Sequence, residues 1–195
     1  MQAQYDQPLF VEVFAGSENL TAAFALQGFA VMPIDIRKGT EFDIHGNAVP
    51  AFIKDVVMQH HKKGGIVYCH VAPPCNTYSM ARFPKIRTTQ HPNGIAKNLL
   101  TTRERVVLAH ANRVTTHTLD LTTALSAANI PVSIENPESS LLYTAKQFKK
   151  WAASCGAGKT IVDYCMHGEV FRKRTARFST PPALLTGVFQ ICPGT

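Results

Sequence analysis

The chain is poor in the features that would place it in a specialised structural class. It has five cysteines, at positions 69, 75, 155, 165 and 192. An odd number without regular spacing excludes a disulfide framework, and the lack of any CxxC pair gives no expectation of a structural zinc site or other metal. No apolar run reaches the roughly 18 residues that a bilayer span needs. The opening residues, Met1-Gln2-Ala3-Gln4-Tyr5-Asp6, have neither the charge nor the apolar stretch of a signal peptide. A soluble, intracellular protein with no membrane partner is therefore expected, in a reducing compartment where one thiol has chemical work. Acid is scarce as well, with 13 Asp and Glu against 20 Lys and Arg, for a net charge of +7.

What is present is enough apolar material, 45% of 195 residues, for one α/β domain with its own core and too little chain for two. The basic excess is uneven. Residues 82–113 hold Arg82, Lys85, Arg87, Lys97, Arg103, Arg105 and Arg113 against Glu104 alone. Residues 146–177 hold eight basic side chains against Asp163 and Glu169. Such a bias suits a polyanionic partner, although a solvated basic surface accounts for it equally well.

Hydrophobic patterning alternates strand and helix. Strands are expected at 9–14, 29–35, 66–71, 131–135, 160–165 and 174–180. Pro33 fits only at an edge or an end. Helices are expected from Leu20 to Gln27, stopped by Gly28, and over about 48–61. Another is expected over about 98–128, broken near Val114-Thr115-Thr116, and a short one carries Phe148 and Trp151. The segment from Asn76 to about Gly94 reads as a long polar loop. This order predicts a mostly parallel sheet covered on both faces. Ligands of such sheets sit beyond the C-terminal strand ends, which is where Gly16, Asp35, Cys75 and Glu135 fall.

Three short segments carry chemistry. In Phe14-Ala15-Gly16-Ser17 a glycine lets the backbone approach a ligand just before a helix N-terminus. Asp35 lies nineteen residues after Gly16, suited to accept hydrogen bonds from ribose hydroxyls, and Asp43 is a further acid suited to an adenine amino group. In Pro73-Pro74-Cys75 two prolines fix the backbone ahead of a thiol, and thiolates are the most accessible of side-chain nucleophiles. In Glu135-Asn136-Pro137 a carboxyl group at a strand end can hold or deliver a proton on a heterocycle. Gly156-Ala157-Gly158-Lys159-Thr160 imitates the end of a phosphate-binding loop. It has Ala153 where the first glycine belongs and precedes a strand, so nucleotide hydrolysis is not expected.

Phe14-Ala15-Gly16, Pro74-Cys75, Glu135-Asn136 and the basic stretch Arg172-Lys173-Arg174 occur in the order and approximate spacing of the cytosine-5 DNA methyltransferases, and residues 9–180 resemble that family. The resemblance implies a Rossmann-like class I methyltransferase fold that uses S-adenosylmethionine, in one catalytic domain over 1–195 without a separate target-recognition domain. It also implies that Phe14, Gly16, Ser17, Asp35, Asp43 and Pro73 hold the cofactor. Cys75 would add to carbon 6 of a cytosine. Glu135 would steady ring nitrogen 3 in its protonated form, and Arg172 or Arg174 would support the base or its phosphate. Carbon 5 would then take the methyl group, and loss of its proton would release Cys75. In duplex DNA the target is first flipped from the stack. Arg82, Lys85 and Arg87, in the loop after Cys75, are suited to clamp phosphates.

The chain departs from the family in carrying Glu18 where a glycine is usual, Asn76 where glutamine is usual, and Phe171 in place of glutamine before the basic stretch. Only Pro181 to Thr195 follows the strand expected at 174–180. DNA is the expected partner, with single-stranded DNA or RNA as alternatives, and a partner chain is a candidate source of target recognition. Two rival readings remain: a non-catalytic relative that binds nucleic acid, and a base-modifying enzyme with another cofactor.

Overall fold

In the structure, a computed structural model, residues 6–164 and 173–182 are described. Ten longer elements follow one another: β1 (Leu9–Val13), α1 (Asn19–Leu26), β2 (Ala30–Ile34), α2 (Ala48–Lys62), β3 (Val67–Val71), α3 (Thr102–Ala127), β4 (Val132–Pro137), α4 (Lys146–Ser154), β5 (Gly158–Asp163) and β6 (Arg174–Thr180). The six strands form one sheet in the order β2-β1-β3-β4-β6-β5. The pairs β1–β2, β1–β3 and β3–β4 are parallel, and β6 runs antiparallel between β4 and β5. The fold is therefore α/β, with a mixed, mostly parallel sheet.

Period-2 alternation divides each strand between two faces. Leu9, Val11, Val13, Val67, Cys69, Val71, Val132 and Ile134 share the main core with Ile53 and Val57 of α2, Leu121 and Leu125 of α3, and Phe148 and Trp151 of α4. The other face carries Phe10, Glu12, Tyr68, His70, Ser133 and Glu135. Phe24 of α1 stacks on Phe10 with ring centroids 3.8 Å apart, a contact worth about 1 kcal/mol beyond its burial. Glu12, 6% exposed, accepts hydrogen bonds from the backbone amide (2.9 Å) and hydroxyl of Thr21. It thereby satisfies one of the donors that the first turn of α1 would leave unmet. Thr21 is the buried residue of this helix. Glu12 draws the Thr21 side inward, leaving Ala23 and Gln27 exposed.

Three expectations are met for physical reasons. Gly28 follows α1 with φ +84°, a conformation that favours glycine. β2 is an edge strand. The Ala30 amide donates to Pro8 and the Ile34 carbonyl accepts from Phe14, so even-numbered residues of β2 face β1. Pro33 faces outward, where its missing N–H costs the sheet nothing. α3, in contrast, is unbroken. It starts at Thr102, on a capping box in which Thr101 and Glu104 satisfy each other's backbone amides. It then passes straight through 114–116, where Val114 and Thr115 are buried and tertiary packing overrides the weak propensity of β-branched residues. No helix among the described residues is long and apolar enough to cross a membrane.

Candidate functional site

The register defines the site. Ile34, Val13, Val71 and Ile134 lie side by side across four parallel strands. One residue further on come Asp35, Phe14, Ala72 and Glu135, so these groups emerge along one edge of the sheet. The chain leaves β1 toward β2 on one side and leaves β3 toward β4 on the other. The strand order thus reverses between β1 and β3, the place where open α/β sheets open a ligand crevice. Phe14–Ser17 leaves β1 at this point, and Ala72–Cys75 leaves β3.

Cys75 is half-buried, whereas Cys69 is wholly buried and its thiol is pushed up to about 12 by desolvation. Cys69 is therefore inert at neutral pH. The segment before Cys75 is pinned twice. The Ala72 amide donates to Val13 (3.0 Å), and the Asn136 side-chain amide donates to the Pro73 carbonyl (2.7 Å). After it, the Tyr78 amide donates to the Cys75 carbonyl (2.9 Å) and the Leu141 amide to that of Tyr78 (2.9 Å). Asn136, the neighbour of Glu135, thus ties the thiol loop directly to β4. A cavity of about 400 Å³ opens beside Cys75, lined by Pro73, Pro74, Asn76, Thr77, His110 and Val114 among others. The Thr77 hydroxyl and the Asn136 side-chain oxygen are buried and meet no hydrogen-bond partner among the described residues. A larger cavity of about 500 Å³, lined by Ser126, Ile130, Cys155 and Thr180, lies at the opposite edge, where β4 begins.

Glu135 is buried in a polar cluster. It accepts a short hydrogen bond from the Tyr164 hydroxyl and lies 3.4 Å from His70 Nε2 and 3.5 Å from Arg177 Nη2. His70 Nδ1 meets the Ser133 hydroxyl at 2.7 Å, which meets the Tyr68 hydroxyl at 2.7 Å. Burial alone would raise the pKa of Glu135. The hydrogen bond and charge of His70, the Tyr164 hydroxyl and Arg177 outweigh that effect and bring it to about 2. Glu135 is thus a carboxylate at neutral pH, where a protonated acid was expected. Burial first, then the charge of Glu135, raises the pKa of the Tyr164 hydroxyl, which keeps its proton. Because the Glu135 pKa is depressed, its stabilising share is complete above the ordinary value of 4.5 and is lost as pH falls through about 2. That share is about 3 kcal/mol. Urea unfolding of the protein and of Glu135→Gln over this window should show the difference between them shrinking as pH falls.

The basic residues divide differently from the sequence expectation. Arg172 lies outside the described residues. Arg174 points to Glu138 (2.7 Å) and Asp163 (3.8 Å), while Arg177, directly opposite Glu135 in the register, is the arginine at the carboxylate. Lys85 is exposed and Arg82 half-buried. Arg87 is a correction: it is 1% exposed and anchors the loop instead of facing a phosphate. Its Nη1 donates to the Pro92 carbonyl (2.6 Å) and the Asn112 side chain (2.8 Å), and its guanidinium lies 3.8 Å above the Tyr78 ring. Ile86, Leu100 and Leu108 give the segment a small core of its own, which leaves Phe83 93% exposed at its tip.

Among the cofactor candidates, Gly16 and Asp35 are joined directly. Phe14, Gly16 and Glu18 all have φ near +60°. The Gly16 amide donates to Asp35 (2.8 Å), and so does the Arg37 amide (2.9 Å). Partial burial opposes ionisation of Asp35, but these hydrogen bonds and the Arg37 charge hold its carboxyl below the usual range. A side chain on Gly16 would meet Arg37 at 2.8 Å. Glu18 pairs with Lys38 at 2.9 Å, which offsets its charge. Ser17 is exposed, and Asp43 accepts from the His45 amide (2.9 Å). Glu18→Gly should relieve the positive φ and stabilise the protein by up to about 1 kcal/mol, despite loss of a partly exposed ion pair. Thermal unfolding should register a rise of about 2–4 °C.

No family model, curated protein or solved structure matches this chain. Of the residues gathered at the crevice, His70, Tyr164 and Arg177 were missed in the sequence. His70 left one signal, a polar residue inside an otherwise apolar strand. Arg177 could be placed only by the antiparallel register of β6.

Proposed function

We propose that the chain is a nucleic-acid cytosine-5 methyltransferase with a Rossmann-like class I methyltransferase fold, using S-adenosylmethionine as methyl donor and Cys75 as nucleophile. One observation carries the reading: the half-buried Cys75 follows a loop that Asn136 fastens to the strand bearing the buried Glu135 carboxylate. A thiol and a carboxylate held by one rigid connection suit attack on a flat heterocycle that must be gripped at its edge.

The residues of the crevice fit the donor. Gly16 holds a φ of +57° that favours glycine, and the Asp35 carboxylate, which accepts its amide, is suited to hold a ribose hydroxyl. The mostly exposed Arg37 can swing aside to free both. Phe14 and Pro73 would supply apolar contact, Ser17 a hydroxyl and Asp43 an acceptor for an amino group. Bound there, S-adenosylmethionine would supply an electrophilic methyl group.

The chain's own groups account for the remaining steps. Cys75 sulfur bonds to carbon 6 of cytosine, and the ring gains electron density that reaches carbon 5 and nitrogen 3. Glu135, as a carboxylate, accepts a hydrogen bond from the exocyclic amino group. Nitrogen 3 takes a proton from solvent, relayed through the Glu135 carboxyl group, which steadies it there. Arg177 balances the charge of the pocket. Carbon 5 takes the methyl group, loses its proton to a base, and expels Cys75. Arg82 and Lys85 would meet phosphates, and the exposed Phe83 offers a surface on which a base can stack.

Incubation with S-adenosylmethionine and DNA containing 5-fluorocytosine should yield a covalent protein–DNA complex, since fluorine cannot leave as a proton does. Parallel single-stranded DNA and RNA substrates identify the preferred nucleic acid, and addition of candidate partner chains tests whether target recognition comes from outside. No complex with any of them would overturn the proposal. One feature favours a second reading, a nucleic-acid-binding relative without the reaction: Asp35, Gly16 and Arg37 already satisfy one another, and Lys38 already holds Glu18. Calorimetry with S-adenosylmethionine separates the two, because that relative would bind nucleic acid in a salt-dependent way without it.

A further inference from the structure

At the wall of the cavity beside Cys75 that His110 lines, Asp43, His45 and His110 each bring one donor atom into a group whose members all lie within 4.8 Å of one another. We propose that this group is a divalent transition-metal site of the zinc class, clamping the loop between β2 and α2 to the middle of α3. The inference takes no premise from the methyltransferase reading, although the two share Asp43.

Two imidazole nitrogens and one carboxylate oxygen are borderline donors of the kind that hold zinc, cobalt or nickel, and they are a poor set for magnesium or calcium, which take oxygen ligands. The two arms are positioned by separate elements. Asp43 and His45 sit on one turn, where the carboxylate accepts the His45 amide (2.9 Å). His117, two turns beyond His110 on α3, holds the same turn through a 2.8 Å contact from its Nδ1 to the Ile44 carbonyl. His110 is the exposed arm.

The imidazoles of His45 and His110 now lie face to face, with centroids 4.2 Å apart and planes 8° from parallel. Tetrahedral zinc places its ligand atoms about 3.4 Å apart. The group therefore has to close by about an ångström, which rotation of the exposed His110 ring accomplishes while turning its lone pair out of the stack. Arg113 adds positive charge beside the site and holds the expected affinity to the micromolar range. Asp43 also carries the adenine assignment, so a bound ion would withdraw that carboxylate from a cofactor.

The experiment uses the full chain, free of any affinity tag and stripped of metal, titrated with Co²⁺ while its visible absorption is followed, and with Zn²⁺ while thermal unfolding is followed. Saturation near one equivalent is expected, with displacement of Co²⁺ by Zn²⁺. The unfolding temperature should rise by about 5 °C or more at a hundredfold excess over Kd, and Mg²⁺ should do nothing. His110→Ala, at an exposed position that tolerates truncation, and His45→Ala should each weaken binding about tenfold or more. The proposal is overturned by the absence of a saturable signal up to about 100 µM, or by titrations that both variants leave unchanged, which would assign the ion to the cysteines.

Discussion

Cys75→Ala should abolish the covalent complex with 5-fluorocytosine DNA and lower methyl transfer by about a thousandfold or more, because removal of a nucleophile leaves only the binding contributions to rate. Stability should change by no more than about 0.5 kcal/mol, since the side chain is half-buried and outside the packed core. That pairing of outcomes matters. A variant that unfolds would say nothing about chemistry, whereas one that melts like the parent and forms no adduct assigns the thiol. Cys155→Ala is the matched control, a half-buried cysteine at the other edge of the sheet, and should keep full activity. An adduct that persists in Cys75→Ala would end the assignment.

Glu135→Gln should cost about 3 kcal/mol of stability, because it leaves His70 and Arg177 facing a neutral amide in a buried setting. The unfolding temperature should then fall by about 6–12 °C. Methyl transfer should fall by a further factor of about 100 or more under conditions where the variant is still folded. His70→Gln combined with Glu135→Gln separates the two effects. If the pair acts as a unit, the double variant should be less damaged than the sum of the singles, by about 1 kcal/mol or more. Strict additivity would remove His70 from the cluster. Activity of Glu135→Gln equal to that of the parent would show that the carboxylate serves folding alone.

How far the sequence foretold these groups depends on whether a position is set locally or by pairing. The strands and the places of Gly28 and Pro33 were legible, because apolar runs and backbone constraints act within a few residues. The continuity of α3 was not. Val114-Thr115-Thr116 reads as a weak point by propensity, and the burial of Val114 and Thr115 against the rest of the fold keeps it helical. Cys75 and Glu135 were legible as polar residues at the ends of apolar strands. Their partners were not, since His70, Tyr164 and Arg177 reach Glu135 from three other segments. Arg87 shows the limit most plainly: a basic side chain in a polar loop suggests a phosphate ligand, yet the tertiary fold lays it on Tyr78 and buries it.

The proline on the outer side of β2 has a meaning for the molecule in a crowded solution. An unpaired sheet border invites docking by a strand from a neighbour, the first step toward aggregation. Because the outward-facing position carries Pro33, a newcomer would lack a donor in the middle of a five-residue border. Replacing that residue with valine would restore the missing rung and remove a guard against self-association.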